Sequence, residues 1–177
     1  MAAPKRRYVQ SYLADSRNLG AEDFLAKHRD PVLVVLARGE EEEGEYVTYA
    51  GVTPEAMSAI AAGRRMPPAA EVFPVKKTCH EATFPGMITI GRTINCDLVI
   101  LDPKISKFHA YLVQDPKDRQ RCLLADAGSR NGTFLNGTRL KARRLTELTS
   151  GDEVRIGSRL LLRFYQAEAF LAAISAT

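Results

Sequence analysis

The sequence predicts a mainly β protein, an antiparallel β-sandwich preceded by a small α+β N-terminal region and closed by a short C-terminal helix. Three observations carry this. Short apolar runs recur at 72–75, 87–90, 98–100, 109–113, 122–125, 133–135, 154–156 and 160–164. Turn signals separate them, among them Asp102-Pro103, Asp115-Pro116, Gly128, Asn131-Gly132, Asn136-Gly137 and Gly151-Asp152. Strands broken by turns about every 8–12 residues pack as two antiparallel sheets. Finally, Gly63-Arg64-Arg65-Met66-Pro67-Pro68-Ala69-Ala70 is the strongest break in the chain, because consecutive prolines deny it regular structure. The expected division is therefore an α+β extension over 1–69, a β-rich domain over 70–166 and a helix over 167–177.

Taken in order, residues 1–16 read as a loosely held arm in which Tyr8, Tyr12 and Leu13 are the docking side chains. Residues 19–28 read as a short helix, with Glu22 and Asp23 early and Lys27 late, matched to the helix dipole. Pro31 stops it. Residues 32–37 form an unbroken apolar run, the mark of a strand covered on both faces. The acidic stretch 40–45 reads as a solvated hairpin connection, with a return strand at 46–49. Thr53, Pro54 and Glu55 then open a helix running to about residue 62. Together these make an αββα-like unit too small to be stable alone, so it leans on the β-rich domain. Residues 72–75 read as an edge strand, since Pro74 has no N–H for a ladder. The alanine-rich end, 166–175, carries Phe170, Leu171 and Ile174 on one side of a helix.

Composition removes several classes. No apolar run approaches the roughly 20 residues of a membrane-spanning helix, and no apolar core follows Lys5, Arg6 and Arg7 as in a secretory signal. A cytoplasmic protein without membrane insertion is the expectation. The three cysteines, Cys79, Cys96 and Cys122, have no C-x-x-C spacing and read as buried thiols. His28, His80 and His109 are equally scattered, so neither a metal nor a cofactor is expected. Charge is uneven. Nine lysines and arginines face ten carboxylates up to residue 70, and sixteen face eleven thereafter. The second part is the better host for an anionic partner.

Within that part, Arg92 closes the run 87–91, and Lys104, Ser106 and Lys107 fall within four residues. If their loops lie side by side, a planar arginine fork, a hydroxyl and two ammonium groups converge, which is what a phosphorylated side chain requires. The alternative is that these cations are surface charges balanced by Asp97 and Asp102. A catalytic reading makes Ser106 a nucleophile and His109 its base. No G-x-S-x-G elbow surrounds Ser106, so catalysis is not expected and His109 is assigned to bracing the loop. Asn131-Gly132 and Asn136-Gly137 are turns in which an asparagine side chain can also bond the main chain of a visiting peptide.

The joint pattern resembles the forkhead-associated (FHA) domain family. It is carried by Gly91-Arg92, Asn95-Cys96-Asp97-Leu98-Val99-Ile100, Ser106-Lys107-Phe108-His109-Ala110 and Ser129-Arg130-Asn131-Gly132-Thr133-Phe134-Leu135-Asn136-Gly137. Gly151-Asp152-Glu153-Val154-Arg155-Ile156-Gly157 adds to it, and about residues 70–166 are covered. The resemblance implies an eleven-stranded β-sandwich that binds phosphothreonine peptides through loops at one end. It implies phosphate contacts for Arg92, Lys104, Ser106 and Lys107, a grip on the peptide backbone for Asn131 and a side contact for Arg130. Gly91, His109, Gly132, Asn136 and Gly137 would support the site. Peptide preference would come from loops 115–121 and 141–149. The expected partner is a threonine-phosphorylated protein or a Ser/Thr kinase, and the alanine-rich composition suits a bacterial chain. A phosphate-independent assembly scaffold of the same fold is the alternative. Nucleic-acid binding, suggested only by Lys141, Arg143, Arg144 and the net charge, is not expected.

Overall fold

A computed structural model describes residues 6–38, 66–78, 84 and 86–176. The acidic loop, return strand and helix expected between 40 and 62 lie outside the described residues. The described chain forms β1 (Arg7–Tyr8), α1 (Val9–Asn18), α2 (Ala21–Lys27), β2 (Val32–Arg38), β3 (Glu71–Pro74), β4 (Met87–Gly91), β5 (Leu98–Val99) and β6 (Ala110–Gln114). It continues through β7 (Cys122–Asp126), β8 (Thr133–Leu135), β9 (Thr138–Arg139), β10 (Thr146–Leu148), β11 (Glu153–Ile156), β12 (Leu160–Tyr165) and α3 (Ala167–Ser175).

The strands make two sheets, β1-β3-β2-β12-β11-β8-β9 and β10-β7-β6-β4-β5. Their facing residues form one core, including Leu33, Ile90, Leu112, Leu124, Ile156 and Phe164. The fold is a β-sandwich in which, among the described residues, β2 to β12 supply eleven strands and β1 adds a twelfth. One pair departs from antiparallel order: β4 and β5 run parallel, with Ile90 opposite Leu98 and Gly91 opposite Val99.

The expected division near residue 70 does not coincide with a break in the sheet. β2, from the first 69 residues, lies between β3 and β12 and pairs with both. Its unbroken apolarity has a direct cause. Leu33 and Val35 face the core between the sheets, while Val32 and Val34 face a second core with Tyr12, Phe24, Phe170 and Ile174. A strand covered on both faces has no position for a polar side chain.

The arm is also not loose. Arg7 and Tyr8 pair with Val72 and Glu71, and α1 buries Val9 and Tyr12. With α2 and α3 it covers the outer face of the long sheet, where Tyr12 meets Phe170 edge-on at 5.1 Å. The sequence hid this because α1 presents only two buried apolar positions, on a helix rich in polar residues. β1 pairs with β3 only at Glu71 and Val72, so Pro74 needs no ladder partner on that side. β9 and β10, two and three residues long and largely polar, have no hydrophobic signature to read. No described helix is long and apolar enough to cross a membrane.

Candidate functional site

β4 and β7 end, and β6 begins, at the same end of the sandwich, where Ile90 lies opposite Ala110 and Ala110 opposite Asp126. The loops after β4, before β6 and after β7 are therefore neighbours. Arg92, Lys104, Ser106, Lys107, Arg130 and Asn131 all line one depression there, of about 470 Å³. Arg92, Lys104, Lys107 and Arg130 are exposed, and among the described residues no carboxylate forms an ion pair with any of them. Asp97 and Asp102, the expected counter-charges, are used otherwise. Asp97 is buried and receives Lys77 Nζ at 2.9 Å, Thr78 N at 2.7 Å and Thr89 N at 2.8 Å. Asp102 accepts the Lys104 amide at 2.7 Å.

The three loops are tied to one another. Arg92 N donates to Ser106 O at 3.1 Å, which ties the first loop to the second. Arg130 N donates to Ser106 Oγ at 3.1 Å, which ties the third loop to the second. With its oxygen accepting that bond, the Ser106 hydroxyl keeps its proton for a ligand. Asn131 Nδ2 donates to Lys104 O at 2.6 Å, which fixes the amide with Oδ1 as its remaining acceptor.

His109 is fully buried beneath these loops. Its Nδ1 accepts the Ser106 amide at 3.0 Å, so the proton sits on Nε2, which donates to Gly132 O at 3.1 Å. Burial, the largest influence, holds its pKa below the ordinary histidine value, against smaller opposing effects of the Gly132 carbonyl and Asp126. The ring meets the amide of Ser106 and not its hydroxyl, and its one lone pair is occupied. A Ser106–His109 nucleophile pair is therefore absent.

Gly91 and Gly132 have separate reasons. A Cβ on Gly91 would stand 2.2 Å from Lys107 O, inside contact distance of backbone. Gly132 has φ +77°, in the left-handed region that favours glycine. Asn136 and Gly137 are not part of the site. β8 leads away from Thr133, and Asn136 bonds Asp152 Oδ1 and the Glu153 amide, both at 2.8 Å. The pair shapes the β8–β9 hairpin and braces the turn before β11.

Loop 115–121 lies at the opposite end of the sandwich, because β6 runs from the site to Gln114. There Arg119 meets Asp30 at 3.2 Å and Gln120 bonds Arg29 O and Ala167 N. It therefore lies away from the depression lined by Arg92 and Asn131. Residues 141–144 do flank the site, since Arg143 N donates to Asp126 O at 2.7 Å.

Asp126 is the residue that sequence reasoning missed. Its Oδ1 accepts Gly128 N and Ser129 N at 2.8 and 2.9 Å, and its Oδ2 accepts Ser129 Oγ and Thr133 Oγ1 at 2.6 and 2.7 Å. Burial pushes this carboxyl up, but the bonds from Ser129, Thr133 and Gly128 together outweigh it and hold the pKa below the usual range. The available signal was an aspartate two residues before a glycine, the mark of a side chain that organises its own turn. Cys96 and Cys122 are buried free thiols, and burial pushes Cys122 up to about 12. Cys79 lies outside the described residues. Among the described residues no group of three or more His, Cys, Asp or Glu is placed to hold a metal.

The loops at one end of the β-sandwich thus gather cations with no ion-paired carboxylate among the described residues, a hydroxyl and an asparagine, groups whose chemistry suits an anion. Residues 88–157 match the FHA domain family. It is 35% identical over 91 residues to the serine/threonine-protein kinase cds1 of Schizosaccharomyces pombe, covering 49% of this chain and 19% of the relative. It is 37% identical over 102 residues to the DNA damage response protein kinase DUN1 of Saccharomyces cerevisiae, covering 55% and 20%. The chain thus spans about a fifth of the length of these curated relatives. A solved structure of the MEK1 FHA domain with the HOP1 pThr318 peptide is 26% identical, covers 54% of this chain and 87% of that chain, and superposes with a TM-score of 0.43.

Proposed function

We propose that this protein is a phosphothreonine-dependent protein-binding module, an adaptor in Ser/Thr-kinase signalling and not itself an enzyme. The observation that carries the reading is the convergence of Arg92, Lys104, Ser106, Lys107, Arg130 and Asn131 on one depression, with no ion-paired carboxylate among the described residues. The match of residues 88–157 to the FHA domain family supports it.

The dianionic phosphate of a phosphothreonine enters between the three loops. Arg92 and the lysines supply charge, the Ser106 hydroxyl donates a hydrogen bond, and the Asn131 Oδ1 accepts a peptide N–H. Charge-assisted bonds of this kind are worth about 1.5–3 kcal/mol each, so the unmodified peptide is excluded. Because the three loops are already tied together by hydrogen bonds, little loop ordering is needed on binding. His109 and Asp126 never touch the ligand but hold the loops that do.

The test is binding to a degenerate phosphothreonine peptide library beside unphosphorylated and phosphoserine libraries, with wild type and Arg92→Ala run together. Binding restricted to phosphothreonine and lost in the variant is the expected result. Equal binding to all three libraries would instead establish a phosphate-independent scaffold.

A further inference from the structure

The cations of residues 139–144 are not used by the phosphate pocket. Arg139 reaches back from β9 to the Asn131-Gly132 turn, where a Cβ added to Gly132 would lie 2.7 Å from its Nε. It pairs across the hairpin with Phe134, whose ring carries the Arg155 guanidinium at 3.5 Å. Beyond it, Lys141, Arg143 and Arg144 form an exposed turn. Arg143 holds φ +62°, Arg144 N donates to Lys141 O at 3.2 Å, and Ala142 bridges to Asp126.

Asp126 thus fixes two features at once. Its carboxylate organises the loop that carries Arg130 and Asn131, and its carbonyl accepts the Arg143 amide at 2.7 Å. The basic turn is anchored one strand spacing from the peptide-gripping loop. Among the described residues none of Arg139, Lys141, Arg143 and Arg144 is ion-paired with a carboxylate, whereas Arg121, at the far end of β7, is paired with Glu147 at 2.7 Å.

We propose that Arg139, Lys141, Arg143 and Arg144 form a second anion-binding surface that takes an acidic flank of the same phosphothreonine peptide. The inference rests on the phosphopeptide reading above. Its chemistry differs from that of the pocket, which combines cations with a hydroxyl and a fixed amide. The ledge offers only long, exposed cations spread along a turn. Such a field suits several aspartates or glutamates and is not shaped for one dianion.

The experiment measures the affinity of the full chain for three phosphothreonine peptides, with neutral, acidic and lysine-rich flanks, at low and high salt. A random-sequence DNA duplex is included as competitor. The variant is Lys141→Gln/Arg143→Asn/Arg144→Gln, in which asparagine keeps the left-handed conformation at 143. Arg139→Gln is made separately. Wild type should bind the acidic-flank peptide about five- to tenfold more tightly than the neutral one at low salt, and the lysine-rich one more weakly. High salt and either variant should shrink the acidic gain, while the triple variant keeps neutral-peptide affinity. Equal affinity for acidic and neutral flanks, or a gain that survives the triple variant, overturns the second surface and leaves the pocket standing. Failure of every phosphothreonine peptide to bind overturns both. Duplex DNA that binds through the ledge and displaces the acidic peptide only there would assign the surface to nucleic acid.

Discussion

At the loop end, Arg92, Lys104, Lys107 and Arg130 face solvent together, with no ion-paired carboxylate among the described residues. Around the helical layer, several charges are matched. Glu71 receives Arg38 and Arg6, Asp15 receives Lys27 at 2.9 Å and His28 at 2.7 Å, and Asp30 receives Arg119 at 3.2 Å. Beneath those pairs lies an apolar core. The difference separates two uses of the same residues. Matched charges around a buried apolar core join elements of the protein to each other, whereas unmatched charges on fixed loops hold a potential in reserve for a partner. If this is correct, the two regions respond oppositely to substitution.

The largest effect is expected on the helical side. Phe170 is buried against Tyr12 and Tyr165. Phe170→Ala should lower the unfolding free energy by about 3–5 kcal/mol, measured by urea denaturation. Phosphopeptide affinity under native conditions should not change. A parallel loss of affinity would show that the helical layer and the loop end are coupled, and the comparison would fail.

Next is Gly91→Ala, at the junction of sheet and site. The added methyl meets the Lys107 carbonyl oxygen at 2.2 Å, backbone that cannot swing aside, and Cys96 Sγ at 2.9 Å. A cost of about 3 kcal/mol in stability is expected, together with loss of peptide binding because the Lys107 loop must move. Retained affinity in a destabilised variant would place the adjustment on the β5 side, away from the pocket.

The same contrast explains what could be read in the chain. That Arg92, Ser106, Lys107 and Asn131 share one depression was legible because their motifs fall in three loops that strand order brings to one end. β2 was legible as a strand covered on both faces, but its partners were not, because an apolar run does not state what it packs against. Asp126 was overlooked since its four hydrogen bonds are local and an aspartate in a turn is common. Asn136 and loop 115–121 were misplaced because motif order gives sequence position, and only strand direction gives the end of the sandwich. α1 was hidden by having two buried positions among polar ones.

Arg92→Ala should produce the smaller, purely functional change. Affinity for a phosphothreonine peptide should fall at least about tenfold, the loss of one charge-assisted bond. Stability should stay within about 0.5 kcal/mol, since the side chain is exposed and without an ion-pair partner among the described residues. Calorimetric titration beside thermal unfolding separates the two. A clear loss of stability would mean that Arg92 is a structural residue whose charge is satisfied within the protein.

The smallest and most diagnostic effect is that of pH on the free protein. His109 is neutral in the folded state because Nδ1 accepts the Ser106 amide, and burial lowers its pKa. In the unfolded chain it titrates near its ordinary value of about 6.5. Below that value the unfolded state binds a proton that the folded state refuses, so stability falls as the pH drops from about 6.5 toward the folded pKa. The slope from this one group cannot exceed about 1.4 kcal/mol per pH unit. Asp126 adds its own loss only lower, from the ordinary carboxylate pKa downward, because its folded pKa is depressed. Imidazole NMR of His109 without peptide isolates the first effect from protonation of the phosphate, whose second pKa of about 6 weakens binding in the same range. The ring should remain in the Nε2–H form well below pH 6.5. Protonation at or above that pH would mean that the Ser106 amide is not held by the ring, and the bracing of the binding loop would need another source.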